Sequence, residues 1–444
     1  MRLPRLVLVS LLLLALQVLQ ARAGTAPGPD APLLTLEHAY DVAAASDQAL
    51  RIAFLEVRKA ERLPLSALTR MAPNLGGSYD YNRRGRSLND PGTSTGSLFL
   101  EQPLLDLSVF PARRRGKIAA EASRLARNFT VRDTLFGVTS AYFEVLKGER
   151  QVAVNQQSLD LAKEQEELAQ KRANVGEVTR TDVLRAKVSL EVARRVLITA
   201  ENALEFRRNT LRNVLNMAPE APFRVAEPLP YRTTLPDFSA LLNKAFTHRE
   251  DLRESTLAVQ QAELRRDEFR TQYAPSIVAR GSSRFPAPRS APETWDASIS
   301  VQVPFFTGGQ REIDLANSLA DMEKATLQRE LLLKKIESEV KQAWLNVQTL
   351  EGSLSAVKAQ VAAAEQSYKD LQNQYSAGTA RSVDVLSGLQ DLSAARLDLT
   401  SLSLDYQVAL RALERVSGTF QDPRVKAAPT NRTPATPLPP PFPQ

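Results

Sequence analysis

The sequence predicts a mainly α-helical fold with a smaller β portion, laid out as a tandem repeat in which each copy supplies a strand pair and a long coiled-coil helical hairpin. Three observations lead there. One spacing relates the two halves of the chain, each half holds a span of about a hundred residues without proline, and short segments of period-two alternation precede each span.

The segment from Asn174 to Leu184 (NVGEVTRTDVL) recurs from Ser376 to Leu386 (SAGTARSVDVL), an offset of 202 residues. The same offset pairs Ala72-Pro73-Asn74 with Ala274-Pro275-Ser276, Ala60-Glu61 with Ala262-Glu263, Leu50-Arg51 with Leu252-Arg253, and Ala141-Tyr142 with Ala343-Trp344. Only near Pro103 and Pro304 does it slip, to 201. Matches spread along the whole length at one spacing identify two copies of one unit.

Arg2 and Arg5 precede an apolar run from Leu6 to Leu16, too short to span a bilayer, and Ala21-Arg22-Ala23 has the small-x-small pattern of a signal-peptidase site. Residues 1–23 are therefore expected to be a cleaved secretory signal. The first repeat then occupies 24–218, a proline-rich linker 219–236, the second repeat 237–420, and a proline-rich tail, expected to be disordered or polyproline-like, 421–444.

Each copy opens with a helix, about Leu36 to Leu63 and about Phe238 to Tyr273, which Pro73 or Pro275 ends. Two short alternating segments follow around a Gly/Pro/Ser-rich loop, Arg83 to Thr95 in the first copy and Phe285 to Pro292 in the second. Proline then disappears between Pro111 and Pro219 and between Pro304 and Pro423, where Ala, Leu, Glu, Gln, Lys and Arg dominate. Gly176 and Gly378 stand in the middle of these spans, where a hairpin tip needs left-handed backbone. The helix before the first tip, about Ala112 to Val175, would rise roughly 95 Å. Val183, Leu190, Leu197, Leu204 and Leu211 fall seven apart, with Ala186, Ala193 and Ala200 in step, and Val385, Leu392, Leu399, Tyr406 and Leu413 repeat the series. A strict seven-residue apolar period makes a coiled-coil seam, and the alanines let a neighbouring helix come close.

The short segments decide between water and membrane. Trp295, Ala297, Ile299, Val301 and Val303 alternate with Asp296, Ser298, Ser300 and Gln302. In the first copy Leu75, Tyr79 and Tyr81 alternate with polar residues, as do Leu98 and Leu100, while the strand near Ile277 sets Arg280 and Arg284 on its polar side. One polar and one apolar face fit a transmembrane β-barrel with a wet lumen, although a soluble sandwich shows the same alternation. Four strands cannot close a barrel alone, so a barrel would be shared between chains.

The formal charge of +7 falls to +4 once Arg2, Arg5 and Arg22 leave with the signal, and the two signs alternate along the chain. Nucleic acid is therefore not an expected partner. Without cysteine there is no disulfide, thiolate site or lipidated N-terminal cysteine. His38 and His248 fall in no metal-ligand spacing, and no phosphate loop or nucleophile elbow is visible. The reading is of a protein that is not an enzyme and takes no cofactor.

Two repeats of helix, strand, strand and long hairpin, with Val-Gly and Asp-Val-Leu signatures at the tips, resemble the TolC family of outer-membrane factors over the mature chain up to about Gly418. The resemblance implies a homotrimer in which four strands per protomer make a twelve-stranded outer-membrane barrel continuous with a periplasmic α-helical barrel. It also implies a passive conduit, fed by an inner-membrane RND or ABC transporter through a periplasmic adaptor, and a barrel surface in contact with outer-membrane lipid. Asp384 falls on the family's gate-aspartate position, and Thr181, Asp182 and Tyr375 match its closing polar network. A second acidic position is Ser387 here, and the gate-arginine position is Ala380, with Arg381 and Arg180 close by. Three Asp384 carboxylates converging on an axis would favour cations and raise one another's pKa. The tips, with Gly176, Glu177, Gly378 and Thr379, are where adaptor docking is implied. Two alternatives remain at this point. Asp182 and Asp384 each follow a glycine turn and suit a helix cap, and the whole chain could be a soluble periplasmic coiled-coil adaptor or scaffold.

Overall fold

The computed structural model describes residues 32–82, 93–227, 235–287 and 292–420. The signal, the tail, residues 83–92 and 288–291 of the expected loops and residues 228–234 of the linker lie outside them. The described residues cluster into two compact units: one comprises 32–47, 137–227 and 350–408, the other 48–82, 93–136, 235–287, 292–349 and 409–420.

In the first repeat the order is β1 (Leu33–Leu34), α1 (Leu36–Ser46), α2 (Gln48–Ala60), α3 (Leu63–Thr69), β2 (Asn74–Asn82), β3 (Thr93–Leu105), α4 (Val109–Asn174) and α5 (Arg180–Val214). After β4 (Arg224–Val225) the second repeat gives α6 (Phe238–His248), α7 (Glu250–Thr271), β5 (Ser276–Ala287), β6 (Thr294–Gln302), α8 (Gln310–Ser376) and α9 (Ser382–Val416).

The duplication survives in atomic detail. Thr35 and Asp237, 202 apart, are both N-caps whose side chains accept a backbone N–H of the first turn. Tyr142 and Trp344, also 202 apart, donate to equivalent carbonyls: Tyr142 Oη to Leu34 at 2.9 Å, and Trp344 Nε1 to Pro236 at 3.1 Å. The single Tyr142 hydroxyl proton is shared with the Ala226 carbonyl at 2.5 Å, and burial pushes its phenol up to about 12.

Three sequence expectations need correction. The opening helix of each copy is not continuous, because Asp47 and Arg249 adopt extended backbone with ψ of 126° and 123°. Tertiary ties hold the second break open. Arg249 bonds Asp251 and Glu339, and a Cβ on Gly418 would come within 3.1 Å of the Arg249 nitrogen, so only glycine allows that approach. Secondly, the strands run further into the expected loops, since Thr93, Ser94 and Thr95 pair with Asn82, Tyr81 and Asp80 of β2, and Phe285 to Ala287 pair with β3. Thirdly, the proline-rich linker carries β4, which pairs in parallel with β1.

The unit holding residues 137–227 has its core where Leu34, Ala39, Ala43, Val138, Tyr142, Leu211, Phe223 and Val225 pack with Leu404 of α9. A second cluster nearer the tips joins both hairpins through Ala162, Tyr368, Tyr375, Val385, Leu389 and Leu392. Heptad residues from the predicted seams supply much of both. The other unit carries the four-stranded antiparallel sheet in the order β2-β3-β5-β6.

Candidate functional site

Register assigns every strand residue to a face. Leu75 lies opposite Leu100, Gly77 opposite Leu98, Leu98 opposite Ser283, Ile277 opposite Val301, Ala279 opposite Ile299 and Ser283 opposite Trp295. Since paired residues share a face, Tyr79, Tyr81, Leu98, Leu100, Trp295, Ile299 and Val301 all lie on one side, and Val303 follows in the same series just beyond β6. Those side chains are exposed, and no charged residue lies on that face of the strands. Asp80, Glu101, Arg280, Arg284 and Asp296 all lie on the opposite face. There Arg280 pairs with Glu101 at 3.1 Å, Ser78 bonds Ser97 at 2.8 Å, and Ser282 donates to Asp296. Phe99 is the large apolar exception on the polar face, and it lies over Gly76, where a Cβ would meet its ring at 2.3 Å.

The tips are built twice from one pattern. Gly176 and Gly378 have φ of +78° and +76°. The N–H of Gly176 bonds Ala173 and that of Glu177 bonds Arg172, while Gly378 bonds Tyr375 and Thr379 bonds Gln374. This is the Schellman closure, which satisfies the last helix carbonyls and makes a left-handed residue necessary. Gly176, Glu177, Gly378 and Thr379 are all exposed.

Asp182 and Asp384 sit three residues after the N-caps of the returning helices. The Asp182 carboxylate accepts the Thr179 N–H at 3.1 Å while Thr179 accepts the Asp182 N–H at 3.3 Å, a complete capping box. Asp384 accepts the Arg381 N–H at 3.1 Å, but Arg381 has no side-chain acceptor and instead pairs its guanidinium with the same carboxylate at 3.1 Å. That hydrogen bond holds the Asp384 carboxyl below its ordinary value. Within one protomer this is opposite in direction to the mutual repulsion expected of a carboxylate ring. Arg180 and Thr181 are exposed on the first turn of α5.

Tyr375 makes no hydrogen bond to Asp182 or Thr181 within the protomer. It is 2 % exposed, packed in the tip cluster, and its hydroxyl has no partner within the protomer. What touches it is Arg172 of α4, a residue that sequence reasoning missed. Arg172 donates to the Tyr375 and Ser376 carbonyls, each at 2.5 Å, and lays its guanidinium over the Tyr375 ring at 4.7 Å. A cation bridging the last carbonyls of α8 gives the Ser376 carbonyl a donor, adds a second to the Tyr375 carbonyl that already accepts the Gly378 N–H, and opposes the negative end of the helix dipole. It also ties the first hairpin to the second. The available signal was the broken duplication, because the position 202 residues on is Gln374.

Among the described residues no group of three His, Cys, Asp or Glu is placed to hold a metal, and no helix is long and apolar enough to cross a membrane.

The model of the family described as outer membrane efflux protein matches residues 39–217 and again 241–419, both repeats and most of the chain. The chain belongs to that family. The outer membrane efflux protein BepC of Brucella suis is 25% identical over 358 residues, 78% of this chain and 77% of that protein. The outer membrane protein TolC of Escherichia coli is 24% identical over 78% of this chain and 74% of its own length. Among solved structures, the CmeC outer membrane channel of Campylobacter jejuni superposes with a TM-score of 0.75 at 16% identity, covering 87% of this chain and 86% of that one. This outer membrane efflux protein is accordingly a transport channel and not an enzyme, placed in the outer membrane with a periplasmic helical portion. The alternative of a soluble adaptor falls with that finding.

Proposed function

We propose that this outer membrane efflux protein closes its barrel as a homotrimer and serves as the passive exit duct of an efflux or secretion system. The observation that carries the reading is the sheet, amphipathic across all four strands and with β2 and β6 as edges whose outer ladder groups have no strand neighbour among the described residues. An even number of antiparallel strands leaves β6 running opposite to the β2 of a following copy, so head-to-tail closure keeps the sheet antiparallel. Strands about 4.8 Å apart and tilted about 40° give a backbone diameter of about 16 Å for eight strands and about 24 Å for twelve. Eight strands leave an interior that side chains fill. Two copies would therefore make a plugged barrel, whereas three make one open enough for a conduit. The polar face, with Glu101, Arg280 and Asp296, then lines the lumen, and Tyr79, Tyr81, Leu98, Leu100, Trp295, Ile299, Val301 and Val303 meet lipid.

On the periplasmic side, the tips form the narrow entrance of the duct. Arg172 holds the two hairpins of a protomer together, and Asp384, kept ionised by Arg381, supplies one acidic ring. Asp182, Thr181 and Arg180 stand behind that ring at the capping turn of α5, and Tyr375 backs it from the buried cluster at the end of α8. The exposed tip residues Gly176, Glu177, Gly378 and Thr379 receive a periplasmic adaptor that connects the duct to an RND or ABC transporter. Energy comes from that transporter, because the chain presents no chemistry of its own. Reconstitution in planar bilayers tests the reading: the wild type should conduct weakly and cation-selectively, and Asp384→Ala should conduct more. A protein that forms no channel would overturn the duct, and an unchanged variant would remove Asp384 from the entrance.

A further inference from the structure

Phe99 breaks the pattern of its strand. It stands on the sheet face that carries the charges, yet it is a large apolar side chain and 41% exposed. Its seat is built. A Cβ on Gly76 would come within 2.3 Å of the Phe99 Cζ and within 2.8 and 2.9 Å of its two Cε atoms, so a larger residue there would push the ring away. The duplication shows that the strand pair itself does not require a ring. The counterparts of Gly76 and Phe99 are Val278, at the offset of 202, and Ser300, at the offset of 201, and these two pair with each other as Gly76 pairs with Phe99. Each protomer therefore carries one such ring, at the middle of β3, six residues from either end.

The surroundings of the ring select what its free side can take. Across the sheet its row reads Gly76, Phe99, Ser282 and Asp296. Asp296 accepts the Ser282 hydroxyl and makes no ion pair among the described residues, whereas Glu101, one row away, is neutralised by Arg280. On this face of the strands Asp80, Glu101 and Asp296 stand against Arg280 and Arg284, an excess of one negative charge. The face of an aromatic ring attracts cations, and its apolar surface takes apolar bodies out of water. Phe99 and Asp296 lie two strand spacings apart, about 10 Å at the backbone. An anion meets no attraction from either group, but a solute with an apolar body and a positive charge is drawn by both. The β6 strand of a neighbouring protomer is the other surface that could cover the ring. It is disfavoured, because Thr294, Asp296, Ser298, Ser300 and Gln302 on that face of β6 offer no apolar partner.

We propose that Phe99 is a contact site for lipophilic cations inside the barrel, present once per protomer, with the ring holding the apolar body and Asp296 supplying the opposite charge. This rests on the barrel reading above, which turns this face to the lumen, so the test separates the two. Single channels of the wild type, Phe99→Ser and Phe99→Leu are recorded in planar bilayers with tetraphenylphosphonium or tetramethylammonium added on the side of the barrel mouth. Loss of one ring contact should raise the half-blocking concentration of tetraphenylphosphonium about two- to fivefold in Phe99→Ser. Phe99→Leu keeps apolar bulk over Gly76 without an aromatic face and should shift the same way by a smaller factor. Tetramethylammonium, which has the charge without the apolar body, should act alike on all three. Block by tetraphenylphosphonium that is absent from the wild type or unchanged in the variants would overturn the site and leave the barrel standing. So would an equal rise for both cations, which would show a change in pore charge or width alone. A wild type that forms no channel would overturn both.

Discussion

Replacing Arg172 by alanine removes the polar clasp that joins the two hairpins at their tips beside the apolar cluster. Two charge-assisted hydrogen bonds go with it, to the carbonyls of Tyr375 and Ser376, together with the stacking on Tyr375. Hydrogen bonds to a charged group contribute about 1.5–3 kcal/mol each and a cation–π contact about 0.5–2 kcal/mol. Against this, the freed side chain regains about 2 kcal/mol of rotamer entropy, and the Ser376 carbonyl at the exposed end of α8 recovers water. The net loss is about 2–3 kcal/mol, or a 30- to 150-fold rise in the equilibrium for local opening of the tips. Hydrogen exchange read by mass spectrometry on peptides spanning Gln374 to Asp384 should show that acceleration, while peptides from the sheet and from α1 stay as in the wild type. Arg172→Lys should fall between, since one ammonium cannot bridge two carbonyls with the same fork. Unchanged exchange at the tip in Arg172→Ala would show that the hairpins are held by the apolar cluster alone, and the clasp would have to be given up.

The remaining expectations are smaller. Asp182→Ala removes the carboxylate of the capping box and should destabilise the start of α5 by about 1 kcal/mol, measured as faster exchange of the Thr179 and Asp182 amides; equal rates would argue against the cap. Tyr142→Phe leaves the Ala226 carbonyl without its buried donor and should cost about 1–2 kcal/mol in chemical unfolding. The wild type should also lose stability as pH rises from 10 toward 12, because its raised phenol pKa favours the neutral folded form, and this alkaline component should be absent from the variant. For Asp384 the sign is reversed: its depressed pKa means that the Arg381 pairing is present above the ordinary value of 3.8 and is lost as pH falls below it. Cation selectivity in bilayers should therefore persist down to about pH 4. A midpoint well above that would mean that repulsion among the three carboxylates outweighs Arg381.

Much of this architecture could be read from residue order because it is periodic. Seven-residue spacing from Val183 to Leu211 and from Val385 to Leu413 gave the hairpins, and left-handed tips followed from Gly176 and Gly378. Alternation from Trp295 to Val303 placed the apolar face correctly, as pairing with β5 then showed. What escaped had no period. β1 and β4 are two residues each, too short for any alternation, and β4 lies in a stretch whose prolines argue for linker. The extended residues Asp47 and Arg249 break helices whose composition is continuous, and Arg249 does so through partners distant in sequence. At the tips, the sequence offered Asp182 and Asp384 as helix caps, which both carboxylates are, but not the Arg381 guanidinium that Asp384 also holds. Arg172 was hidden because its partners are two backbone carbonyls, which leave no trace in the identity of the residues that carry them.

The central claim is that a four-stranded amphipathic sheet is one third of a closed barrel. Native mass spectrometry of the detergent-extracted protein tests it most directly. The account expects one species of three protomers that withstands mild collisional activation, since strand ladders join every pair of neighbours. A stable dimer, or a monomer that stays in solution once detergent is removed, would contradict it.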